Sequence, residues 1–176
     1  MIGYSIGASG QHLQLSDKVI DHFDRHRQTR FWHREAGGLL FAKFDLPNII
    51  IEDATGPRRT DRRSRYSYSP DIHAEHREIE QRFRRGLHFI GCWHTHPERW
   101  PTPSSVDIRN TSECVRRSRH ALNGFVMAIV GQAAIPQGLY VSVCDRAAVH
   151  QLRIPFKRLD ELALQAVTAV QPVGHS

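Results

Sequence analysis

The chain has 176 residues, of which 40% are hydrophobic, and this length suits one domain with a buried core rather than two ordinary domains. Its net charge of +6 comes largely from arginine. No stretch approaches the ~20 consecutive apolar residues of a membrane-spanning helix, and MIGYSIGASG lacks the features of a signal peptide. We therefore predict a single cytoplasmic domain over residues 1–176, with no membrane partner.

The first half of the chain carries a helical pattern followed by two strand patterns. Residues 16–30 place Val19 and Phe23 on one helical face, which predicts a surface helix. The apolar runs 38–44 and 48–54 are short and separated by turn residues, so they predict a hairpin.

The second half alternates helices with strands. The expected elements are a helix from about residue 70 to Gly86, a strand over 87–93, a polar helix from about Ser104, strands over 124–130 and 138–144, and a last helix at about 156–171. Strands that alternate with helices, together with hairpins, predict the α/β class, built as an α+β sandwich rather than a bundle.

Five arginines lie close together in PRRTDRRSR, at positions 58, 59, 62, 63 and 65. Such a cluster suits nucleic acid or an acidic protein surface, but no nucleic-acid-binding motif accompanies it. We therefore do not expect a nucleic-acid partner. A solvated loop and a protein-docking surface both stay open.

Three cysteines, Cys92, Cys114 and Cys144, are odd in number and widely spaced. This spacing argues against a disulfide framework and against a Cys-x-x-Cys zinc site. We expect free thiols at all three positions.

The segment WHTHPERWPTPSSVD (93–107) carries a candidate metal site. On a strand, His94 and His96 project to the same face and can converge on one ion. Asp107 is the natural third ligand, because Glu98 would need a tight turn to reach the same ion. Two imidazoles and one carboxylate suit Zn²⁺, and three protein ligands leave the open position that a catalytic zinc needs.

Two further residues are candidates for catalysis. Glu35 stands before two glycines at the start of an apolar strand, where partial burial would suit a general base. Ser104 is ambiguous, because Ser104-x-x-Asp107 fits a helix capping box, while its hydroxyl could also donate a hydrogen bond to a developing oxyanion.

Together, Glu35, His94-Thr95-His96-Pro97 and Ser104-x-x-Asp107 resemble the signature of the JAMM (MPN+) metalloproteases, the zinc peptidases with a JAB domain. The resemblance implies a curved mixed sheet flanked by helices. It also implies Zn²⁺ as cofactor, His94, His96 and Asp107 as ligands, Glu35 as general base and Ser104 as oxyanion stabiliser.

The residues of this motif resemble those of bacterial members of the family, among them the deconjugating peptidases of antiphage CBASS operons. The resemblance thus implies an isopeptidase whose substrate is a ubiquitin-like or otherwise conjugated protein, in a pathway with E1-like and E2-like proteins. Cys92 departs from the acidic residue expected there in many bacterial members. A peptidase that matures a sulfur-carrier precursor and a non-catalytic MPN scaffold stay open as alternatives.

We also expect the substrate to bind in two places. An extended C-terminal tail would add to a sheet edge beside the strand that carries the ligands, through main-chain hydrogen bonds. The segment from Arg58 to Arg65, called the arginine loop below, is the candidate second contact. It would bind the folded domain to which that tail belongs.

Overall fold

The computed structural model describes residues 1–117 and 122–153. Within them the protein is α+β, with an eight-stranded mixed sheet, a two-stranded sheet and three helices. The predicted fold class, a mixed sheet flanked by helices, is confirmed. The predicted helix at about 156–171 lies outside the described residues.

The elements follow one another as β1 (Ile2–Ile6), β2 (Gln11–Leu15), α1 (Asp17–His26), β3 (Gly37–Asp45), β4 (Asn48–Ala54), β5 (Arg62–Arg63), β6 (Tyr68–Ser69), α2 (Ile72–Phe83), β7 (His88–Thr95), α3 (Ser105–Arg117), β8 (Phe125–Val130), β9 (Leu139–Cys144) and β10 (Val149–Leu152). The large sheet has the order β1-β2-β4-β3-β7-β8-β9-β10, and β5 pairs with β6. The pairs β2–β4 and β7–β8 are parallel, and the others are antiparallel.

The first helix is shorter than predicted. Ser16 caps its N-terminus by accepting a hydrogen bond from the Val19 amide, and its last residue is His26. Arg27 has φ −54° and ψ 137° and so leaves the helix. No apolar residue continues the buried face beyond this point, and the side chain of Gln28 instead bonds to backbone carbonyls of other segments. The predicted extension to residue 30 is therefore wrong.

The core lies between α1 and the large sheet. Val19 and Phe23 of α1 are fully buried, and the Phe23 ring centroid is 5.1 Å from that of Trp93 on β7. Burial of one such apolar side chain stabilises the fold by about 1.5–3 kcal/mol. None of the helices in the described ranges is long and apolar enough to cross a membrane.

Strand β7 separates this core from the candidate site. Successive side chains of a strand point to opposite faces. Trp93 and Thr95 are buried, whereas Cys92 and His94 line a cleft on the other side of the sheet. The strand therefore anchors the site from behind through its buried residues.

Candidate metal centre and catalytic cleft

Three side chains with metal-binding groups converge where β7 ends and α3 begins. His94 lies near the end of β7, His96 follows the strand, and Asp107 lies in the first turn of α3. The Nε2 atoms of the two histidines are 3.1 Å apart. The Asp107 carboxylate oxygens lie 3.2 Å from Nε2 of His94 and 3.4 Å from Nε2 of His96. The structure thus brings the three predicted ligands together.

The spacing of these atoms fits a tetrahedral ion. Ligand atoms bound at about 2.0–2.1 Å around such an ion lie about 3.3 Å from one another. Here Nε2 of His94 lies 3.1 Å from Nε2 of His96 and 3.2 Å from Oδ1 of Asp107, while the other carboxylate oxygen, Oδ2, lies 3.4 Å from Nε2 of His96. The donors are two imidazoles and one carboxylate, which is a set that Zn²⁺ favours. The residues present therefore fit a zinc ion with one open position.

The carboxyl of Asp107 is held in its ionised form. Burial alone would raise its pKa, but the hydrogen bonds from His94 and His96 outweigh burial and hold the pKa well below its usual range. The group is therefore ionised at neutral pH, as metal binding requires.

Glu35 lines the same cleft and is 8% exposed. Its amide donates a hydrogen bond of 2.7 Å to the carbonyl of Ser64, and its carbonyl accepts one of 2.5 Å from Nε of Arg63. Burial raises the pKa of the Glu35 carboxyl to about 7, the charge of His96 lowers it, and that of Asp107 raises it further. A carboxyl with this pKa can accept and release a proton near neutral pH.

Gly37 allows Tyr68, which lines the cleft, to lie close to the large sheet. A Cβ atom at this position would stand 2.7 Å from the ring of Tyr68, which is closer than real Cβ atoms come. The absent side chain thus allows the ring of Tyr68 on β6 to lie against the start of β3. At Gly38 a Cβ atom would stand 1.8 Å from the carbonyl oxygen of Thr55, so the predicted close approach of backbone is observed at this glycine.

Ser104 occupies the N-cap of α3. Its hydroxyl oxygen accepts a hydrogen bond from the Asp107 amide at 3.2 Å, and Oδ2 of Asp107 accepts hydrogen bonds from the amide and hydroxyl of Ser104 at 2.7 and 2.6 Å. This reciprocal pair is a capping box. The hydroxyl also lines the cleft. The capping role is therefore present, and it leaves Ser104 beside the candidate metal centre.

The cleft has a volume of about 720 Å³ and extends well beyond these five residues. Its further lining includes residues that the sequence analysis did not assign to the site, namely Tyr66, Ser67, Tyr68, Cys92, Asn110, Thr111 and Cys114. Strand alternation provides a signal for Cys92, which lies two residues before His94. The α3 residues lie three and four positions after Asp107, and then seven, which is the helical spacing of one face.

Glu98, the alternative acidic residue, also lines the cleft. Its Oε2 accepts hydrogen bonds from the amide of Thr102 at 3.3 Å and from its hydroxyl at 3.4 Å. The carboxylate thus holds the turn between β7 and α3.

A family model, prokaryotic homologues of the JAB domain, matches residues 16–142. The chain belongs to this family. It is 32% identical over 126 residues to a CD-NTase/cGAS isopeptidase of Pseudomonas aeruginosa, a match that covers 70% of this chain and 79% of the relative. A protein of the same name from Escherichia coli is 28% identical over 102 residues, a match that covers 56% of this chain and 65% of the relative.

A solved structure supports the fold of this JAB domain. The solution structure of a Desulfitobacterium hafniense protein matches with a TM-score of 0.56 at 20% identity. The match covers 79% of this chain and 88% of that protein.

The arginine loop of this JAB domain is largely bound to the domain itself. Arg58 is 9% exposed and bonds to Glu78 through Nε at 2.9 Å. Arg63 donates to the carbonyl of Glu35, and Arg65 donates to the carbonyl of Phe31. Three of the five arginines therefore hold internal contacts. The two alternatives, a solvated loop and a docking surface, now concern only Arg59 and Arg62, which are exposed.

The strand that carries the ligands has no free edge. β7 pairs with β3 on one side and with β8 on the other. The expectation of a free sheet edge beside this strand is therefore wrong, because β7 lies between β3 and β8 in the middle of the sheet. Within the described residues β6 pairs with β5 alone, and Tyr68 and Pro70 line the cleft on this side.

Proposed function

We propose that this JAB domain is a zinc-dependent isopeptidase that hydrolyses the amide bond at the C-terminus of a ubiquitin-like or otherwise conjugated protein. The observation that carries the proposal is the convergence of His94, His96 and Asp107 on one point of a cleft that also contains Glu35. The relatives named CD-NTase/cGAS isopeptidase support a CD-NTase conjugate as the substrate. Deconjugation in bacterial antiviral defence, beside E1-like and E2-like proteins, is the corresponding role.

The chain's own residues would divide the chemistry among them. When bound, Zn²⁺ supplies Lewis acidity toward the scissile carbonyl and lowers the pKa of water. Glu35 removes the proton from the attacking water and delivers it to the leaving amine. Its raised pKa suits both transfers, because a general base is most effective when its pKa lies near the working pH.

The tail of the substrate would enter along β6. Tyr68 of this strand packs against Gly37 and lines the cleft together with Glu35, and the edge of β6 that does not face β5 would offer main-chain groups to an extended peptide. The scissile carbonyl then lies between Glu35 and Ser104. Asp107 would help to hold the ion, and the hydroxyl of Ser104 would donate a hydrogen bond to the developing oxyanion.

Two probes test the proposed function directly. One is a CD-NTase joined through its C-terminal residue to green fluorescent protein, and the other is a sulfur-carrier precursor that carries its C-terminal extension. Cleavage at the CD-NTase C-terminus that stops with a chelator and returns with Zn²⁺ supports the proposal. Cleavage of the precursor alone supports the maturation alternative, and zinc binding without any hydrolysis supports a scaffold.

Replacing Ser104 with alanine is expected to have two effects. Loss of the N-cap should lower the free energy of unfolding by about 1 kcal/mol. Loss of an oxyanion donor should lower kcat by about 10²-fold or more. Urea unfolding and steady-state kinetics measure the two effects separately.

Ser16→Ala is the matched control for this prediction, because Ser16 caps α1 and does not line the cleft. It should lose comparable stability and keep kcat. If Ser104→Ala also keeps kcat, the serine is a helix cap and nothing more.

The docking role of the arginine loop now concerns Arg59 and Arg62, its two exposed arginines. Replacing both with glutamine is expected to raise KM for the CD-NTase fusion and to weaken its salt dependence, with kcat unchanged, because the contact is remote from the reacting bond. Arg58 stays in place, since removing one partner of a buried ion pair destabilises a fold. Kinetics at low and high salt measure the effect.

Arg84 and Arg85 provide the matched pair of exposed arginines, which follow α2 near the start of β7. Their replacement should leave KM unchanged. Equal kcat/KM on the fusion and on a peptide with only its tail would show that no second surface is used.

A further inference from the structure

Two fully buried polar side chains lie behind the cleft, on the core face of β7. Thr95 stands between His94 and His96, and Gln28 follows α1; both have no solvent exposure. Buried polar groups of this kind need partners, and a fully satisfied network fixes the elements that it joins.

The two side chains form one continuous chain of hydrogen bonds. The Ala36 amide donates to Oγ1 of Thr95 at 2.9 Å, and that hydroxyl donates to Oε1 of Gln28 at 2.9 Å. Nε2 of Gln28 donates to the carbonyl of Arg65 at 2.9 Å and to that of His33 at 3.3 Å. Every donor of the two side chains is thus used.

This chain of hydrogen bonds reaches the backbone on both sides of Glu35, at Ala36 after it and at His33 before it. The last paired residues of β3 and β7 are Gly37 and His94, so Glu35 lies beyond the regular ladder. Thr95 extends the pairing by one residue, because its amide also donates to the carbonyl of Ala36 at 2.8 Å. Gln28 holds the arginine loop by Arg65, and the same loop binds both backbone groups of Glu35.

We propose that Gln28 and Thr95 are positioning residues, which fix the general base Glu35 relative to the metal ligands His94 and His96. The inference rests on the proposed function. Neither side chain touches the cleft. Their effect is geometric. The end of β7 carries His94 on one face and Thr95 on the other, and the Thr95 hydroxyl binds the amide of Ala36, the residue next to Glu35.

Thr95→Val tests the proposal, because valine keeps the shape and removes the hydroxyl. We expect kcat to fall about 10- to 100-fold with KM nearly unchanged, since lost support of a site has effects of this size. Elemental analysis should still find one zinc per chain. Hydrogen exchange of the Ala36 amide should accelerate, which is a result independent of activity.

Thr95→Ser is the matched control, because it restores the hydroxyl without the methyl group. It should recover most of kcat and the protection of the Ala36 amide. Gln28→Met, which keeps chain length and loses both hydrogen-bonding groups, should reproduce the valine result and also accelerate exchange of the Glu35 amide. It provides a second route if Thr95→Val does not fold.

The proposal is overturned if Thr95→Val and Gln28→Met keep the kcat of the unaltered chain. It is also overturned if kcat falls as much in Thr95→Ser as in Thr95→Val. Loss of zinc in Thr95→Val would also overturn it, because the threonine would then support the ligands rather than the base. Failure of the proposed function is a different result: the unaltered chain with zinc would hydrolyse neither probe. In that case unchanged exchange of the Ala36 amide in Thr95→Val still contradicts the positioning role.

Discussion

Replacing His94 or His96 with alanine is expected to abolish both zinc binding and hydrolysis while the domain stays folded. The unaltered chain should hold about one zinc, and two remaining ligands are too few for a stable site. The fold does not depend on the ion, because its core of apolar side chains such as Leu13, Phe23 and Ile51 is fully buried without contribution from the ligands. Elemental analysis of protein purified without a metal-affinity tag measures the zinc, and circular dichroism measures the fold.

His150 offers a matched control, since its imidazole pairs with Asp145 at an exposed position on β10. His150→Ala should keep zinc and activity. Stoichiometric zinc in either ligand variant would show that the ligands are misassigned. A zinc-free preparation of the unaltered chain that still cleaves the CD-NTase fusion would remove the metal from the mechanism.

The ligand geometry was predictable because it is local. His94 and His96 are two residues apart on one strand, and Asp107 lies only eleven residues further, in the first turn of the next helix. Period-two alternation and a capping pattern therefore suffice to bring the three groups together. Glu35 is 59 residues before His94, and its position at the start of a strand beside two glycines was its only signal apart from the family resemblance.

Long-range polar contacts were not predictable in the same way. The hydrogen bonds of Gln28 and Arg63 go to backbone carbonyls, which every residue has, so they leave no pattern in the sequence. The arginine cluster consequently suggested an exposed surface, although Arg58 and Arg65 bond elsewhere within the domain and Arg63 binds the backbone of Glu35. Composition reports the charge of a segment but not the direction in which its side chains point.

The strands at the ends of the sheet were missed for a different reason. β1 and β10 are short, with five and four residues, and half-exposed edge strands mix polar with apolar residues. Their sequences thus lack the apolar runs by which β3 and β8 were recognised. The order of strands in a sheet is decided by tertiary packing, so the sequence did not predict it. In the structure β7, which carries His94, lies in the middle of the sheet and not beside an edge.

The pH dependence of stability provides a test of Glu35 that needs no substrate. Burial raises the pKa of this carboxyl from its ordinary value of 4.5 to about 7, so the folded state binds the proton more tightly than the unfolded state. The stabilisation is therefore fully present below pH 4.5 and is lost as the pH rises through 7. Burial also raises the pKa of Glu75 to about 7, so in the zinc-free protein Glu35→Gln should reduce the loss of stability between pH 5 and pH 8 without removing all of it. Urea unfolding at the two pH values measures the difference. Equal pH dependence in both proteins would mean that the carboxyl is not buried.

With zinc bound, Glu35→Gln is expected to lower kcat by about 10²- to 10⁴-fold, the range for a lost general base. The amide has nearly the same shape as the carboxyl, so zinc content should not change, but it cannot accept the proton of the attacking water. The unaltered chain should gain activity as the pH rises through an acidic limb at or below about 7, because the positive ion favours the carboxylate form.

Glu98→Gln is the matched control, since Glu98 lines the same cleft and its carboxylate binds Thr102. It should lose little of kcat and keep the acidic limb. If Glu35→Gln stays active and Glu98→Gln does not, the base is Glu98. The loop that joins β7 to α3 would then carry the base together with His96, and the hydrogen bonds around Glu35 would have a structural role alone.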